Sequence, residues 1–435
     1  MGAKEVKVVE SCFLTPGDET PTHGLWLSPL DLEQVGGGHT PTVYFYRSEP
    51  GSAGDFFDVA RLKAAMAKAL VAFYPLAGRL GVDRNGRTEI DCAGQGVLFV
   101  VAHSDFTIDD FSDCQPSPEL RKLFVPHIDD SSGVVSGIQV TFLKCGGVAL
   151  GTALHHVAVD GISAFHFFQT WSAFSRSNGD NGTVSLELPC HDRTLLRGRC
   201  PPIVHLDALK VFYPFKLNPC EPLGAISNTI FVFSNNQVDT LKRACGGVST
   251  FCAVTAHVWR CMCAARQLPP DTMTRLTLMA NVRGRIKPPL PACYFGNAII
   301  WLTSTCKVND VVSPSEETMV SVANQIKGTI RQMDDEVVHS AIDYLELHEM
   351  GSRPAPPIGN SLPKTELRVV SWLGMPVYDA DFGWGKPLMM LRAVVLRAGV
   401  VYLMDGRQGD GSVQIVVCME TAILNEFERL LYASF

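Results

Sequence analysis

The spacing of apolar side chains changes repeatedly along this chain, and each change marks an element. Residues 6–15 and 39–46 alternate as strands do. In the second, Thr40, Thr42, Tyr44 and Tyr46 fall on one face and Val43 and Phe45 on the other. Tyrosines so placed ordinarily pack with their hydroxyls at the surface. Residues 25–32 carry a Trp and a polar edge. Residues 58–70 repeat at helical spacing, with Val59, Leu62, Ala65, Met66 and Leu70 on one stripe, and the run Pro75-Leu-Ala-Gly78 stops them. Residues 86–92 and 96–102 predict a further strand pair, and 116–124 a short helix. Two β-branched runs, 138–143 and 148–154, are split by Gly146-Gly147 and predict a buried hairpin. It is followed by a helix over 161–174 with Asp160 or Gly161 near its N-cap.

Between residues 175 and 222 the pattern lapses: Pro189, Pro201, Pro202, Pro214, Pro219 and Pro222 resist regular structure. Beyond it, strands are predicted at 228–234, 276–282, 298–303, 391–395, 400–405 and 413–419. Helices are predicted at 238–244, 249–265, 315–333, 339–349 and the C-terminus. Residues 369–378 read as extended, and 391–395 and 400–405 flank a turn at Ala398-Gly399. Strands interleaved with helices on both sides of a Pro-rich stretch predict an α/β protein of two domains. The expected limits are 1–180, a crossover loop at 181–225, and 226–435.

Composition narrows the class. With 46% hydrophobic and 19% charged residues among 435, the chain can bury large cores. A net charge of -7 and the absence of a basic run argue against nucleic acid and for small-molecule partners. No stretch reaches membrane-spanning length, the first ten residues lack a signal-peptide core, and Val6 breaks a myristoylation signal. The fourteen cysteines form no C-x-x-C pair and read as reduced core residues of a cytoplasmic protein. Asn181-Gly-Thr183 matches a glycosylation acceptor, which without a secretory signal reads as a turn. Gly36-Gly-Gly38 lacks the strand-loop-helix frame of a phosphate cradle.

Chemistry concentrates at His155-His156-Val-Ala-Val-Asp160-Gly161, where the predicted hairpin delivers two imidazoles to a strand end. Asp160, four residues after His156 across a strand-to-helix turn, is near enough to orient an imidazole or to brace the turn, and the arrangement suits a general base. Two other readings of these histidines are core packing and metal ligation. The second is weakened because no further His or Cys recurs at zinc-site spacing.

His155-His-Val-Ala-Val-Asp160, Tyr294-Phe-Gly-Asn297 and Asp381-Phe-Gly-Trp-Gly385, in this order, resemble the plant BAHD acyltransferases, and the likeness spans nearly the whole chain. The opening Leu25-Trp-Leu-Ser-Pro-Leu-Asp31, with 39–47, is similar to the hydroxycinnamoyltransferase branch. The resemblance implies two chloramphenicol-acetyltransferase-like domains, each a mixed sheet with flanking helices, part of 369–395 packing back on the first, and a monomer without a resident cofactor. An acyl-CoA, by this resemblance a hydroxycinnamoyl-CoA, would be the substrate. It implies His156 as the catalytic base, and Asp160 and Asp381 as structural residues. Asp381 would pair with Arg283, or with Arg285 in reserve. Trp384 and Gly385 would lie near the CoA channel, with Phe382 and Trp384 as core aromatics in the plainer reading. Thr40, Thr42 and Tyr44 become acceptor-side residues, or simply fill the sheet.

One departure bears on the acceptor. Shikimate-accepting members carry an Arg two residues before the Pro matching Pro376, where this chain has Gly374. A guanidinium there can grip a carboxylate in a bidentate pair. Its loss predicts poor use of shikimate and quinate and favours a neutral polyol or a small aliphatic amine such as putrescine or agmatine. The amine follows from resemblance to amide-forming members of the branch. Shikimate, quinate or glycerol esters remain the alternative product class. From other classes, a thioester hydrolase or a non-catalytic acyl-CoA-binding protein also remain, although no nucleophile elbow is present.

Overall fold

The computed structural model describes residues 4–48, 55–177, 187–212, 224–349, 361–407, 409–433 and 435; the Asn181-Gly-Thr183 acceptor motif lies outside them. The chain forms two compact units that are interleaved in sequence. The first comprises Met1–Arg197, Pro291–Asn297 and Met375–Val394; the second comprises Gly198–Leu290, Ala298–Gly374 and Val395–Phe435. Each is built on a six-stranded mixed sheet, which gives the α/β class.

In the first unit the strand order is Val6–Leu14, Val97–Ser104, Ser136–Leu143, Val148–His155, His39–Tyr46, Met389–Arg392. All neighbours are antiparallel except the second and third. Strands Ser136–Leu143 and Val148–His155 form the expected hairpin and are buried along nearly their whole length. Such two-sided burial explains why their sequences are apolar runs rather than alternations. Helix Val59–Ala72, capped by Asp58, packs on helix Gly161–Arg176. On that face of the sheet Tyr44 meets Phe168, while Phe45 on the opposite face stacks on Phe111.

In the second unit the order is Ile299–Lys307, Met273–Asn281, Glu366–Ser371, Val400–Asp405, Val413–Glu420, Ile226–Phe233. Helix Thr250–Ala265, capped by Ser249, carries twelve buried residues and packs against Glu316–Arg331 and Leu424–Tyr432. Its cysteines are free and buried, and desolvation raises the Cys261 thiol to about 12.

Several expectations need correction. Residues 86–92 and 96–102 are not a strand pair. Thr88–Asp91 sits between Gly24–Trp26 and Arg79–Val82 in a separate three-stranded sheet, and Val97–Ser104 joins the main one. Likewise the strands expected on either side of Ala398-Gly399 belong to different sheets: Met389–Arg392 pairs with His39–Tyr46, and Val400–Asp405 with Glu366–Ser371 and Val413–Glu420. Within 25–32 the chain forms a short helix, Pro29–Leu32, closed by a Ser28–Asp31 capping box. Of the extended segment 369–378, only the end of strand Glu366–Ser371 is β. Tyr44 and Tyr46 are buried, not surface-tipped, and Tyr46 donates to the carbonyl of Ala380 at 2.8 Å.

Candidate functional site

His155 is the last residue of its strand and pairs with His39. The ladder runs on by one bond, His156 N–H to Gly38 O at 2.9 Å. This continued register leaves His156 on the face shared by Thr152, Thr42 and Thr40, and His155 on the opposite face. There His155 meets His39 edge to face at 4.9 Å, and its Nδ1 accepts the Val157 N–H. Of the two histidines, His155 is thus the packed core residue. The Gly36–Gly38 stretch passes directly beside His156: a Cβ on Gly37 would stand 3.5 Å from the His156 Cβ.

The turn after His156 is held by a buried polar network spread over three parts of the sequence. Asn297 Nδ2 donates to the carbonyls of His156 (2.8 Å) and Val157 (3.2 Å), and both its N–H and Nδ2 bond Asp31 Oδ1 at 2.8 and 3.0 Å. Asp31, fully buried, makes a 2.8 Å ion pair with Arg193, whose Nη2 donates to Ala158 O at 2.8 Å. Ser28 closes the second Asp31 oxygen through its N–H and hydroxyl. Burial works against the Arg193 charge, but Asp31, Tyr294 and Asp160 outweigh it and raise its pKa. Asp160 Oδ1 caps helix Gly161–Arg176 by accepting the Ser163 N–H at 3.0 Å. The Ser163 hydroxyl in turn bonds Gly296 O at 3.0 Å. This supports bracing of the turn as the role of Asp160.

Asp381 closes its own turn, accepting N–H bonds from Gly383 (2.8 Å) and Gly385 (3.0 Å), while Arg176 binds its carbonyl. Phe382 is buried against Trp171, ring centroids 4.5 Å apart. Trp384 stacks on Phe57 at 5.2 Å beneath the Arg61 guanidinium, 4.3 Å from the ring. These contacts fit the plainer reading of both aromatics as packing residues. Arg283 and Arg285 belong to the second unit, Asp381 to the first. In its own unit Arg283 donates its N–H to Asn281 Oδ1 at 3.0 Å.

Thr40, Thr42 and Tyr44 share the His156 face. Thr42 and Thr152 hydroxyls are 2.5 Å apart, and Tyr44 is buried against Phe168. Gly374, in the second unit, adopts φ +74 and donates its N–H to Asp405 Oδ2 at 2.6 Å. An Arg at this position would meet left-handed backbone strain, so the turn itself favours Gly here. Among the described residues no cluster of metal-ligating side chains occurs, and no helix is long and apolar enough to cross a membrane.

Burial holds the His156 pKa below its ordinary value. Arg392 pushes it the same way, whereas the backbone, Asp160 and Asn297 oppose. Its Nδ1 is buried and makes no hydrogen bond of standard geometry. Burial, with His39 and His156 nearby, lowers His155 from 6.5 to about 3, and burial lowers His191 to about 4. These folded-state values lie below the unfolded one, so the unfolded chain takes up protons first. Their stability contribution is complete above pH 6.5 and is lost as pH falls toward 3. Unfolding free energy by denaturant titration should therefore drop by about 2 kcal/mol per buried imidazole between neutral pH and about pH 5. A flat profile over that interval would contradict the burial of these rings.

Sequence reasoning quoted Asp31 and Asn297 inside motifs without giving them a role, and missed Arg193. The available signal was a lone Asp after Ser28-Pro-Leu in an otherwise apolar stretch, a charge that burial obliges to find a partner.

Known proteins extend this picture. The Transferase family model matches residues 4–433. The chain is 44% identical over 444 residues to putrescine hydroxycinnamoyltransferase 1 of Oryza sativa subsp. japonica, covering 98% of each. It is 38% identical over 445 residues to shikimate O-hydroxycinnamoyltransferase of Nicotiana tabacum, covering 98% of this chain and 99% of that one. The crystal structure of vinorine synthase superposes with a TM-score of 0.77 at 23% identity, over 99% of this chain and 98% of that one, a likeness of fold. Together with the matched motifs, these similarities establish that the chain belongs to the BAHD transferase family of CoA-dependent acyltransferases.

Proposed function

We propose that this protein transfers a hydroxycinnamoyl group from its CoA thioester to a small aliphatic amine, putrescine or agmatine, with His156 as general base. The transferred group follows from the hydroxycinnamoyltransferases to which the chain is similar. The observation that carries the amine is the 44% identity to a putrescine hydroxycinnamoyltransferase. Gly374 supports it, since the turn offers no guanidinium for an acceptor carboxylate.

In this mechanism a neutral His156 takes the proton of the nitrogen as it attacks the thioester carbonyl. The C–N bond forms, the C–S bond breaks, and the imidazolium returns the proton to the CoA thiolate. Burial suits the base, because a ring with a depressed pKa is uncharged at neutral pH. Holding both substrates beside one imidazole supplies much of the remaining acceleration. Thr40, Thr42 and Tyr44, on the same face, are the proposed acceptor side. The enzyme would act as a cytoplasmic monomer and need no cofactor.

A competition assay read by mass spectrometry tests the acceptor. The protein is given p-coumaroyl-CoA with shikimate, quinate, glycerol, putrescine, agmatine and spermidine together. The expected product is the putrescine or agmatine amide. Loss of a charge-assisted carboxylate bond costs on the order of 2–5 kcal/mol, so shikimate and quinate esters should be tens- to thousands-fold slower. A dominant shikimate or quinate ester would overturn the amine reading.

A further inference from the structure

Asn297 ends the Tyr294-Phe-Gly-Asn motif, and its fully buried side chain bonds the carbonyl of His156. Its backbone is fixed there. The preceding Gly296 exchanges bonds with the Ser163 hydroxyl at 3.1 and 3.0 Å, at a point where a Cβ would stand 2.8 Å from Arg193 Nε, and the Asn297 N–H is held by Asp31. The amide can point only one way. Nδ2 faces three oxygens, Asp31 Oδ1, His156 O and Val157 O, so a flipped amide would set oxygen against oxygen. That leaves Oδ1 at the other end, buried and without a hydrogen bond of standard geometry. The Nδ1 of His156 is buried and lacks such a bond too. A carbonyl oxygen and a ring nitrogen, each costly to leave unpaired, thus lie on two residues already in contact at 2.8 Å.

We propose that Asn297 is a positioning residue of this acyltransferase: its Oδ1 takes the Nδ1–H of His156 and so fixes the tautomer that leaves Nε2 as the base. The proposal rests on His156 being the base and says which of its nitrogens works. Two hydrogen-bonding partners act on the ring, its own carbonyl and the Asn297 side chain, and both favour the charged form, as acceptors do. One amide places them both, since Asn297 Nδ2 holds that carbonyl. A ring nitrogen that faces acceptors keeps its proton, and the lone pair is then on Nε2. When Nε2 takes the proton of the attacking nitrogen, the Nδ1–H stays on the ring and its bond to Oδ1 strengthens with the charge. The Nε2 proton then leaves with the CoA thiolate. Catalytic bonds of this kind are commonly long before substrate binds and tighten in the complex. Of the charged groups that act on the ring, Asp160 favours the imidazolium, while Arg392, opposite Thr42 on the neighbouring strand, disfavours it. The Asp31–Arg193 pair lies under the turn, and His155 and His39 meet on the far face.

Two measurements test this. In wild-type protein carrying isotope-labelled histidine, with the His156 signals identified by their loss in His156→Gln, nitrogen chemical shifts above neutral pH should show the proton on Nδ1. A proton on Nε2 overturns the proposal, and no Asn297 variant is needed to see it. The second measurement is the pH profile of kcat for transfer from p-coumaroyl-CoA, in the wild type and Asn297→Leu, from about pH 5 to about pH 9. The acceptor, putrescine or whichever the competition assay selects, is common to both proteins, so the displacement between the curves belongs to the enzyme. Leu has the size of Asn and offers no acceptor. It should lower kcat by about ten- to a hundredfold. It should also move the acid limb to lower pH by about half a unit to one unit, because one acceptor no longer favours the charged ring. Mere loosening of the turn would do the opposite: water reaching the ring would raise the limb toward 6.5, the ordinary imidazole value. An upward or unmoved limb therefore overturns the proposal. Catalysis that survives His156→Ala overturns it as well, since the base is then elsewhere. An ester product in place of the amide changes the acceptor alone, and the role of Asn297 stands.

Discussion

His156→Ala should lower kcat/KM for hydroxycinnamoyl transfer by about 10²- to 10⁴-fold, the range that a positioned general base supplies. The fall should appear in kcat, because the imidazole acts on a proton that moves only as the C–N bond forms. Folding should be little affected. The ring nitrogen Nδ1 is buried but makes no standard hydrogen bond, and the Asn297 amide on this turn bonds the His156 carbonyl. Removing an imidazole held neutral by burial strands no partner. The variant should still gain thermal stability from p-coumaroyl-CoA, since binding to the native state stabilises it irrespective of turnover. The same pair of measurements separates the rival classes. A binding-only protein shows the thermal shift with no turnover in the wild type, and a hydrolase releases free acid and CoA without an acceptor. Activity within tenfold of wild type in His156→Ala would place the base elsewhere.

Asp31→Ala should cost about 3–5 kcal/mol of stability, the usual effect of removing one partner from a buried ion pair. Arg193 would be left charged in a site where it is 1% exposed. Asn297 would lose the acceptor of two of its bonds, and helix Pro29–Leu32 its capping box. Activity should fall as well. Asp31 touches Asn297 and Arg193, and these hold the carbonyls of His156, Val157 and Ala158. A small displacement of the imidazole is enough to slow the reaction substantially. Asp31→Asn keeps the shape and the acceptor oxygen but removes the charge, so it should fall between the wild type and Ala in denaturant midpoint. An Asp31→Ala protein of wild-type stability would mean that Arg193 relaxes to another partner.

How much was legible beforehand differs from element to element. Strand His39–Tyr46 has the predicted limits, and helix Thr250–Ala265 starts one residue inside its predicted span of 249–265 and ends with it. In both, the signal is local: side-chain period, a capping Ser, a flanking turn. The strands near 88 and 97 were recognised as strands but given the wrong partners, and those on either side of Ala398-Gly399 were recognised without their partners. Alternation tells a strand which residues are buried, and says nothing of which other strand lies beside it when the connection is not a tight turn. The site divides in the same way. The His-x-x-x-Asp motif is contiguous and could be read, whereas its supports come from positions 31, 193 and 297.

By itself, the sequence determined that this is an α/β chain with two hydrophobic cores, that a hairpin ends in two histidines, and that three short motifs mark a BAHD acyltransferase. These follow from periodicity and from contiguous chemistry, which need no knowledge of the fold. Only the tertiary structure decided which histidine shares a face with Thr42 and Thr152, that Asp31, Arg193 and Asn297 form one buried network under the turn after His156, and that Arg392 stands on the His156 face. Those arrangements join residues tens to hundreds of positions apart. They are set by strand register and by the need of each buried charge for a partner, and no local pattern in the chain encodes either.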